Sequence, residues 1–346
     1  MEALLEINWL YLLIAAFAGG AFGAAVGALP AFIFTGLMVI AGEAGGLEGV
    51  TAQIAFGPFF GPHISFAGGA AAAAYAAKQG YMESGFDFHE AKNITYALGP
   101  QVDVLVIGGL FGILGAVIRQ FSFGFGLPWD PIALGVTLSA LFHRLFLGYS
   151  VIGMTGGSGL LNMTPFADGT KRDSDAGTVP DGMKAATDRF LVEPWLPHQY
   201  KWGAVAFLGL IAGLLGAYAA IETGSPFLAF GISAASLFFL NLGVEKFPVT
   251  HHMTLPASTI ALAVVASGEG VQDAALTGGS DVLGLLFGAL FGMICALFGE
   301  FFQRIFYAHG DTHWDPPAAA IVFGTLLIAL LYFAGILGTT VWIPLP

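Results

Sequence analysis

The 346-residue chain is 56% hydrophobic and only 10% charged, with a mean hydropathy of +0.80. Soluble domains carry roughly 25% charged residues, so this composition indicates an integral membrane protein. The formal net charge of −12 argues against nucleic acid as a partner, and a single cysteine excludes an intrachain disulfide.

Several apolar runs approach or exceed the ~20 residues that a helix needs to cross the hydrocarbon layer of a membrane. They cover residues 8–42, 101–122, 131–152, 202–221, 226–243, 281–303 and 317–340. The first run is long enough for two segments, 8–29 and 30–43, and a further segment contains the Pro62-His63 pair. The sequence therefore predicts an all-α polytopic helical membrane protein with about 10 membrane segments, some of them broken or re-entrant.

Short motifs recur in the same order in the two ends of the chain. The tripeptide Trp-Asp-Pro opens apolar runs at residues 129 and 314, and Asp-Val-Leu opens glycine-spaced runs at residues 103 and 281. Residues 61–66 also align with residues 250–255. These matches predict two homologous five-segment repeats, residues 1–152 and 201–346, joined by a polar, cytoplasmic linker over residues 153–200.

An odd number of segments in each repeat inverts the second repeat relative to the first. Lysine and arginine concentrate in short cytoplasmic loops, and nine of the eleven basic residues fall on one side if the N-terminus lies outside. We therefore predict two inverted repeats in the cell (plasma) membrane, with both termini outside. This parity argument assumes that residues 30–43 span the membrane rather than re-enter it.

Inverted repeats are typical of secondary transporters, which bind solutes near the bilayer midplane with discontinuous helices. Each repeat carries such a break, where prolines stand beside histidines and hydroxyl groups. Proline removes a backbone donor, so a break frees groups that can coordinate an ion or accept a hydrogen bond. The alternative is a kinked helix whose histidines cap loops at the membrane surface. The break prolines are Pro30, Pro58, Pro62, Pro248 and Pro256, and the candidate solute ligands are His63, Ser65, Thr250, His251, His252 and Thr254.

The pair His143-Arg144 lies well inside its apolar run, near the bilayer midplane. An arginine there costs at least ~2.5 kcal/mol, so its side chain must face protein or water. The second repeat has isoleucine and alanine at the aligned positions, as expected of a residue that binds solute rather than supports the fold. We therefore predict that Arg144 and His143 bind an anion. The alternative is a structural ion pair of Arg144 with Asp103, Asp281 or Glu300.

Asp103 and Asp281 stand at the starts of membrane segments and are candidates for binding a coupling Na⁺ or H⁺. The alternative is that they stabilise helix N-termini, where a carboxylate is common. No metal-cage spacing, nucleotide-binding loop or hydrolase elbow occurs in the chain. The sequence therefore predicts no enzyme, no metal site and no cofactor beyond a coupling ion.

The stretch Gly-Ala-Ala-Val-Gly-Ala-Leu-Pro at residues 23–30 precedes a broken segment and an alanine-rich run that ends in Lys-Gln-Gly at residue 80. This pattern resembles the large membrane subunit of tripartite tricarboxylate transporters, although Ala31 stands where that family usually has glycine. The resemblance implies a cation-coupled carboxylate importer that often works with a small membrane subunit and an extracytoplasmic binding protein. It also implies that residues 27–30, 62–63 and 250–256 belong to the site.

The leading prediction is a secondary transporter that moves a small, carboxylate-like anion with Na⁺ or H⁺. Its expected partners are membrane lipids, the solute, and either further copies of the chain or an accessory subunit. Two alternatives remain, a passive channel with histidines at its constriction and a non-transporting structural subunit of a membrane assembly. Saturable, gradient-dependent flux separates the carrier from the channel.

Overall fold

The computed structural model describes residues 8–47, 49–82, 86, 88–155, 159–172, 189–268 and 277–346. Within these residues the chain is helical, and its one extended pairing is an isolated antiparallel bridge between Lys171 and Phe190. Residues 173–188 of the predicted linker lie outside the described part.

The helices are numbered α1 to α11 in chain order. The part before the linker contains α1 (Trp9–Val26), α2 (Ala28–Gly45), α3 (Ser65–Lys78), α4 (Val102–Gly124) and α5 (Pro131–Leu147). A π-helical turn (Val50–Ala55) precedes α3, and the short helix α6 (Thr164–Ala167) lies in the linker. The part after the linker contains α7 (Trp202–Thr223), α8 (Leu228–Asn241), α9 (His251–Gly268), α10 (Thr277–Phe302) and α11 (Pro316–Phe333).

Six of the described helices have the length and hydropathy to cross a membrane, namely α1, α2, α4, α7, α10 and α11. Helices α5 and α8 are apolar but shorter, at 17 and 14 residues. Helix α3 has 14 residues, and α9 opens on two histidines that lower its hydropathy. The predicted class, an all-α membrane protein, is confirmed.

The duplicated Trp-Asp-Pro motif starts α5 and α11. The side chain of Asp130 accepts hydrogen bonds from the backbone N–H groups of Ile132, at 2.8 Å, and Ala133, at 3.3 Å. Asp315 accepts one from the backbone N–H of Ala318, at 2.8 Å. Because the first N–H groups of a helix have no partner inside it, an aspartate before a proline is a strong start signal.

The helices before and after the linker pack in the same pattern. In the first part α1 packs on α3 and α4, and α4 packs on α5; in the second, α7 packs on α9 and α10, and α10 packs on α11. Helix α2 packs against α8, and α5 against α11, so these two pairs join the parts. The largest apolar cluster lies at this junction, with residues from α2, α3, α5, α8, α9 and α11.

Glycines form the closest contacts inside each part. A Cβ atom added at Gly20 of α1 would meet the carbonyl oxygen of Gly108 and lie 2.8 Å from the Cα of Gly112, both on α4. In lipid, helices associate largely through such close van der Waals packing between small residues. The same contact between α7 and α10 is made by Gly213, Gly288 and Gly292.

The first predicted break is a non-helical segment, residues 56–64, which contains Pro58 and Pro62. The prediction of a break at Pro30 is wrong, because Pro30 lies in the first turn of α2, where a proline needs no hydrogen-bond partner. The chain turns instead at Gly27, whose φ of 95° is in the region that favours glycine.

The second predicted break is also displaced. Pro248 lies in the loop before α9, as a break residue should, but α9 runs from His251 to Gly268 through Pro256. Pro256 therefore does not end a helix. It only lacks the N–H that would donate to the carbonyl oxygen of His252, four residues earlier.

We predict that Gly20→Ala lowers the stability of the protein by about 1–3 kcal/mol, because the added methyl group overlaps backbone atoms of α4. Thermal unfolding in detergent, followed by circular dichroism, measures the change. Gly203→Ala on α7 is the matched control, since nothing lies within 4 Å of its added Cβ atom. Equal melting temperatures for the two variants would contradict the packing described for Gly20.

Candidate solute cavity

A cavity of about 1050 Å³ lies between the two parts of the chain. Helices α2, α3 and α5 and the end of α4 line it from the first part, and α8, α9 and α11 line it from the second. Its walls are mostly apolar and aromatic, with Phe32, Phe66 and Phe230 among them. A concave, largely apolar pocket with a few polar groups is the usual form of a small-molecule site.

Five pairs of wall residues occupy matching positions in the two parts. The alignment of the Trp-Asp-Pro motifs pairs wall residues on α5 with wall residues on α11, and the alignment of residues 61–66 with 250–255 does the same for α3 and α9. The matched pairs on the wall are Asp130 with Asp315, Ala133 with Ala318, Val136 with Ile321, Pro62 with His251, and Phe66 with Leu255.

The polar groups of the wall include both helix-capping aspartates, Asp130 and Asp315, which are buried. His313 stands beside Asp315, with its Nε2 atom 3.0 Å from Oδ1 of the carboxylate. The Nδ1 atoms of His313 and His251 are buried and have no hydrogen-bond partner in the described part of the chain. These imidazoles are therefore polar groups with unused capacity on an otherwise apolar wall.

Arg119, near the end of α4, also lines the cavity. Its guanidinium donates to the side chain of Gln120 at 2.7 Å and lies 4.9 Å from the ring centre of Phe123. Sequence reasoning did not select Arg119, because its position near the end of an apolar run is ordinary for a snorkelling side chain.

Of the eight residues predicted to bind solute, His251 lies on the wall of this cavity. The others lie away from the cavity wall, in contacts between helices or at helix starts, and all but the half-buried Thr250 are buried. A Cβ atom at Gly135 would lie 2.7 Å from the Cβ of His63, and Thr250 bonds to Ser233 at 2.6 Å. The remaining contacts are Ser65 with the Gly61 carbonyl, Thr254 with the His251 carbonyl, and the His252 ring with Trp195.

Arg144 is fully buried but donates to the protein rather than into the cavity. Its Nε bonds to the Thr312 hydroxyl at 2.9 Å, its Nη2 bonds to the Thr312 carbonyl at 2.8 Å, and its Nη1 bonds to the Val151 carbonyl. The guanidinium also lies 5.0 Å from the ring centre of Trp314, and His143 lies 2.8 Å from the same hydroxyl. The anion-binding role of Arg144 and His143 stays a prediction.

The carboxylates offered as alternatives for Arg144 have other surroundings. Glu300 pairs with Arg304 at 2.6 Å, and both side chains are buried. Asp103 accepts hydrogen bonds from Tyr75 at 3.1 Å and Tyr81 at 3.2 Å, while Asp281 is exposed. Neither Asp103 nor Asp281 is among the residues that line the cavity, so their role as coupling-ion ligands stays a prediction.

An ion-pair network joins three connecting segments at the end of the cavity where Lys92 lies. Lys92, between α3 and α4, pairs with Glu193 of the linker at 2.7 Å, and both side chains are fully buried. Arg189 pairs with Glu193 at 2.7 Å and with Asp311 at 2.8 Å, and Arg172 pairs with Asp311 at 3.3 Å. The linker is thus tied to loops from both parts of the chain.

The charges of this network shift the pKa values of its members. Burial lowers the pKa of Lys92 to about 7, against the opposing attraction of Glu193. Burial alone would raise the pKa of Asp311, but the positive charges of Arg189 and Arg172, together with His89, outweigh it and hold the pKa at about 2. Asp311 is therefore ionised at physiological pH. Among the described residues, no group of three or more His, Cys, Asp or Glu side chains could hold a metal ion.

The helices define a helical membrane protein, and a cavity of about 1050 Å³ lies between its two parts. Over residues 2–346 the chain matches a family of unknown function, DUF7973, and it belongs to that family. No curated protein and no solved structure matches the chain.

We predict that Asp311→Asn removes on the order of 2 kcal/mol of stability at neutral pH, because the native pKa lies below the ordinary value near 3.8. The contribution of Asp311 is fully present above about pH 4 and is lost as the pH falls towards about 2. The stability difference between wild type and variant should close over that window. Unfolding midpoints measured at a series of pH values give this stability difference, and Asp168→Asn, at an exposed position, is the control. A stability difference that stays constant with pH would refute the low pKa of Asp311.

Proposed function

We propose that this protein is a secondary transporter of the cell membrane, which binds a small solute in the cavity between two inverted repeats. The observation that carries the proposal is a cavity wall made of matching positions from the two parts. Solute sites at the interface of repeats are the rule in secondary transporters, because relative movement of the repeats can open the site to either side.

Duplication within the chain is supported by contacts that recur at aligned positions. The glycine contact of α1 with α4 recurs between α7 and α10, and the capping aspartate of α5 recurs at α11. The carbonyl of Ser65 lies against Gly23 of α1, as that of Thr254 lies against Gly216 of α7. An apolar composition alone would not place the same contacts at aligned positions, so their recurrence supports a duplication.

Inversion of the repeats is supported by the directions of α5 and α11. The backbone N–H of Asp130, at the start of α5, donates to Thr325 in the middle of α11, at 2.9 Å. Conversely, Trp314, just before α11, belongs to the same apolar cluster as Ala140 in the middle of α5. Two helices whose starts lie beside each other's middles run in opposite directions, as aligned segments of an inverted repeat must.

The proposal of ten membrane segments includes helices too short to cross alone. Twelve of the 14 residues of α3 are buried by protein. A segment with little exposure to lipid does not need to match the thickness of the hydrocarbon layer, because protein groups surround its ends. Helices α3, α5, α8 and α9, the shorter or more polar ones, are also the helices that line the cavity with α2 and α11.

The proposed solute is a small carboxylate-like anion, moved with Na⁺ or H⁺. Arg119 supplies a guanidinium on the cavity wall, which Arg144 does not. The resemblance to tripartite tricarboxylate transporters supports the same solute class, and it extends the proposal to a small membrane subunit and a binding protein. With both termini outside, the basic ion-pair network around Arg189 would lie on the cytoplasmic side, where positive charge is favoured.

We predict that Ala318→Trp stops uptake, because the indole would project into the cavity, which has room for it. Leu330→Trp on the same helix is the matched control, since Leu330 is half exposed on the outer surface. Uptake of labelled mono-, di- and tricarboxylates into proteoliposomes, under an imposed Na⁺ or pH gradient, measures the effect.

Wild-type uptake should saturate and require the gradient, and Leu330→Trp should match it. Flux that ignores the gradient and does not saturate would replace the carrier with a passive channel. Equal uptake by the two tryptophan variants would show that the solute does not pass through this cavity. A folded wild-type preparation that moves no member of the panel would remove carboxylates as the solute class.

A further inference from the structure

We infer that His313 and Asp315 form the proton-binding site that couples transport to a pH gradient. This inference rests on the proposed transport function and adds the coupling ion and its ligands. Both residues line the cavity, at the point where α11 begins. His313 is 2% exposed and Asp315 is 9% exposed, so the pair is buried at the cavity wall.

The geometry leaves one place for a proton. While the imidazole is neutral and Asp315 is ionised, the Nε2–H of His313 donates to Oδ1 of Asp315 at 3.0 Å, which leaves the lone pair on Nδ1. That Nδ1 atom has no hydrogen-bond partner among the described residues. A proton taken from water in the cavity adds to Nδ1 and gives an imidazolium paired with the carboxylate; loss of the same proton restores the neutral ring.

His313 has charged neighbours of both signs, a carboxylate on one side and cationic groups on the others. Asp315 favours the imidazolium. The ring centre of Tyr307 lies 5.3 Å from that of His313, and a protonated tyrosine adds no charge. The Nζ atom of Lys92 lies 4.6 Å from the same Tyr307 ring centre and brings a positive charge to this region. On the other side, Arg144 and His143 meet at the Thr312 hydroxyl, next to His313 in the chain. From α3 the imidazole faces only the uncharged ring of Phe66, at 5.7 Å.

A proton fits this site better than Na⁺ does. Both oxygens of Asp315 already accept hydrogen bonds, Oδ1 from His313 and Oδ2 from the backbone N–H of Ala318 at 2.8 Å. Hard metal cations such as Na⁺ require several oxygen ligands. The His313 imidazole supplies no oxygen, and the nitrogen that faces the carboxylate carries a proton. Among the described residues, His313 and Asp315 belong to no group of three or more His, Cys, Asp or Glu side chains that could hold a metal ion.

The imidazole is present in one half only. Asp130 caps α5 as Asp315 caps α11, but the residue two positions before Asp130 is Pro128, where the second half has His313. Capping a helix therefore does not need the histidine. The contact of His313 with Phe66 of α3 also crosses between the two parts of the chain, so a charge on this ring lies where the parts would move relative to each other.

Titration of the full-length protein in detergent tests the site without any solute. The protein is labelled with ¹⁵N in its eight histidines, and His313→Gln identifies the signal of His313 by its loss. We expect that signal to move as the pH is changed between about 5 and 8. Asp315→Asn should shift the midpoint to lower pH by about one unit, because the carboxylate favours the charged ring. A signal that does not move in this range, or a midpoint unaffected by Asp315→Asn, would overturn the inference.

A second measurement tests coupling in proteoliposomes with whichever labelled carboxylate the wild type accumulates. His313→Gln should keep exchange of labelled for unlabelled solute but lose accumulation driven by a pH gradient. His89→Gln, which changes a half-buried histidine away from the cavity wall that accepts a hydrogen bond from the backbone N–H of Ala91 at 3.1 Å, should keep both. Loss of exchange together with accumulation would assign His313 a structural role instead, and retained accumulation would also overturn the inference. If the wild type accumulates nothing, the transport proposal fails while the titration still decides the proton site.

Discussion

Backbone contact between glycines holds each part of this protein together, at Gly20 with Gly108 and Gly112 in one and at the aligned glycines in the other. Between helices in lipid there is no hydrophobic driving force to replace such packing, so the separation of α1 from α4 depends on the absence of side chains there. Helices α1, α3 and α4 form one close group, and α7, α9 and α10 form another. Contacts of α2 with α8 and of α5 with α11 join the two groups, and the cavity lies between them.

The cavity places a small set of polar groups in apolar surroundings, where a buried charge needs a partner. The partners divide the charged residues into two kinds. Arg144 and the ion-paired groups around Arg189 bond to other protein groups, and they tie loops and helix ends together. His313 and Arg119 line the cavity, and the Nδ1 atom of His313 has no hydrogen-bond partner among the described residues. The proposed solute and proton sites therefore involve residues of the second kind, which line the cavity.

Sequence reasoning found the right motifs but only part of the site. The Trp-Asp-Pro pair was selected as evidence of duplication, and its aspartates prove to lie on the cavity wall. His313, the residue directly before the second motif, was overlooked because nothing local marks it as different from a loop histidine. Arg144 was predicted to bind solute because it lies deep in an apolar run. That position indicates that the guanidinium needs a partner, but it does not identify the partner. Thr312, its main partner, is 168 residues away in the chain.

Composition and hydrophobic run length were sufficient to predict a helical membrane protein, and the spacing of recurring tripeptides was sufficient to align its two parts. These properties are local, since each depends on residues within one segment or on the comparison of two segments. Which polar groups face the cavity, and which are satisfied by the protein, depends on contacts between segments far apart in the chain. Those contacts depend on the directions of the helices and on how far one helix is displaced along its neighbour. For example, Asp130 at the start of α5 bonds to Thr325 in the middle of α11. Only the tertiary structure decides them, because periodicity specifies the face of a helix and not the neighbour that covers it.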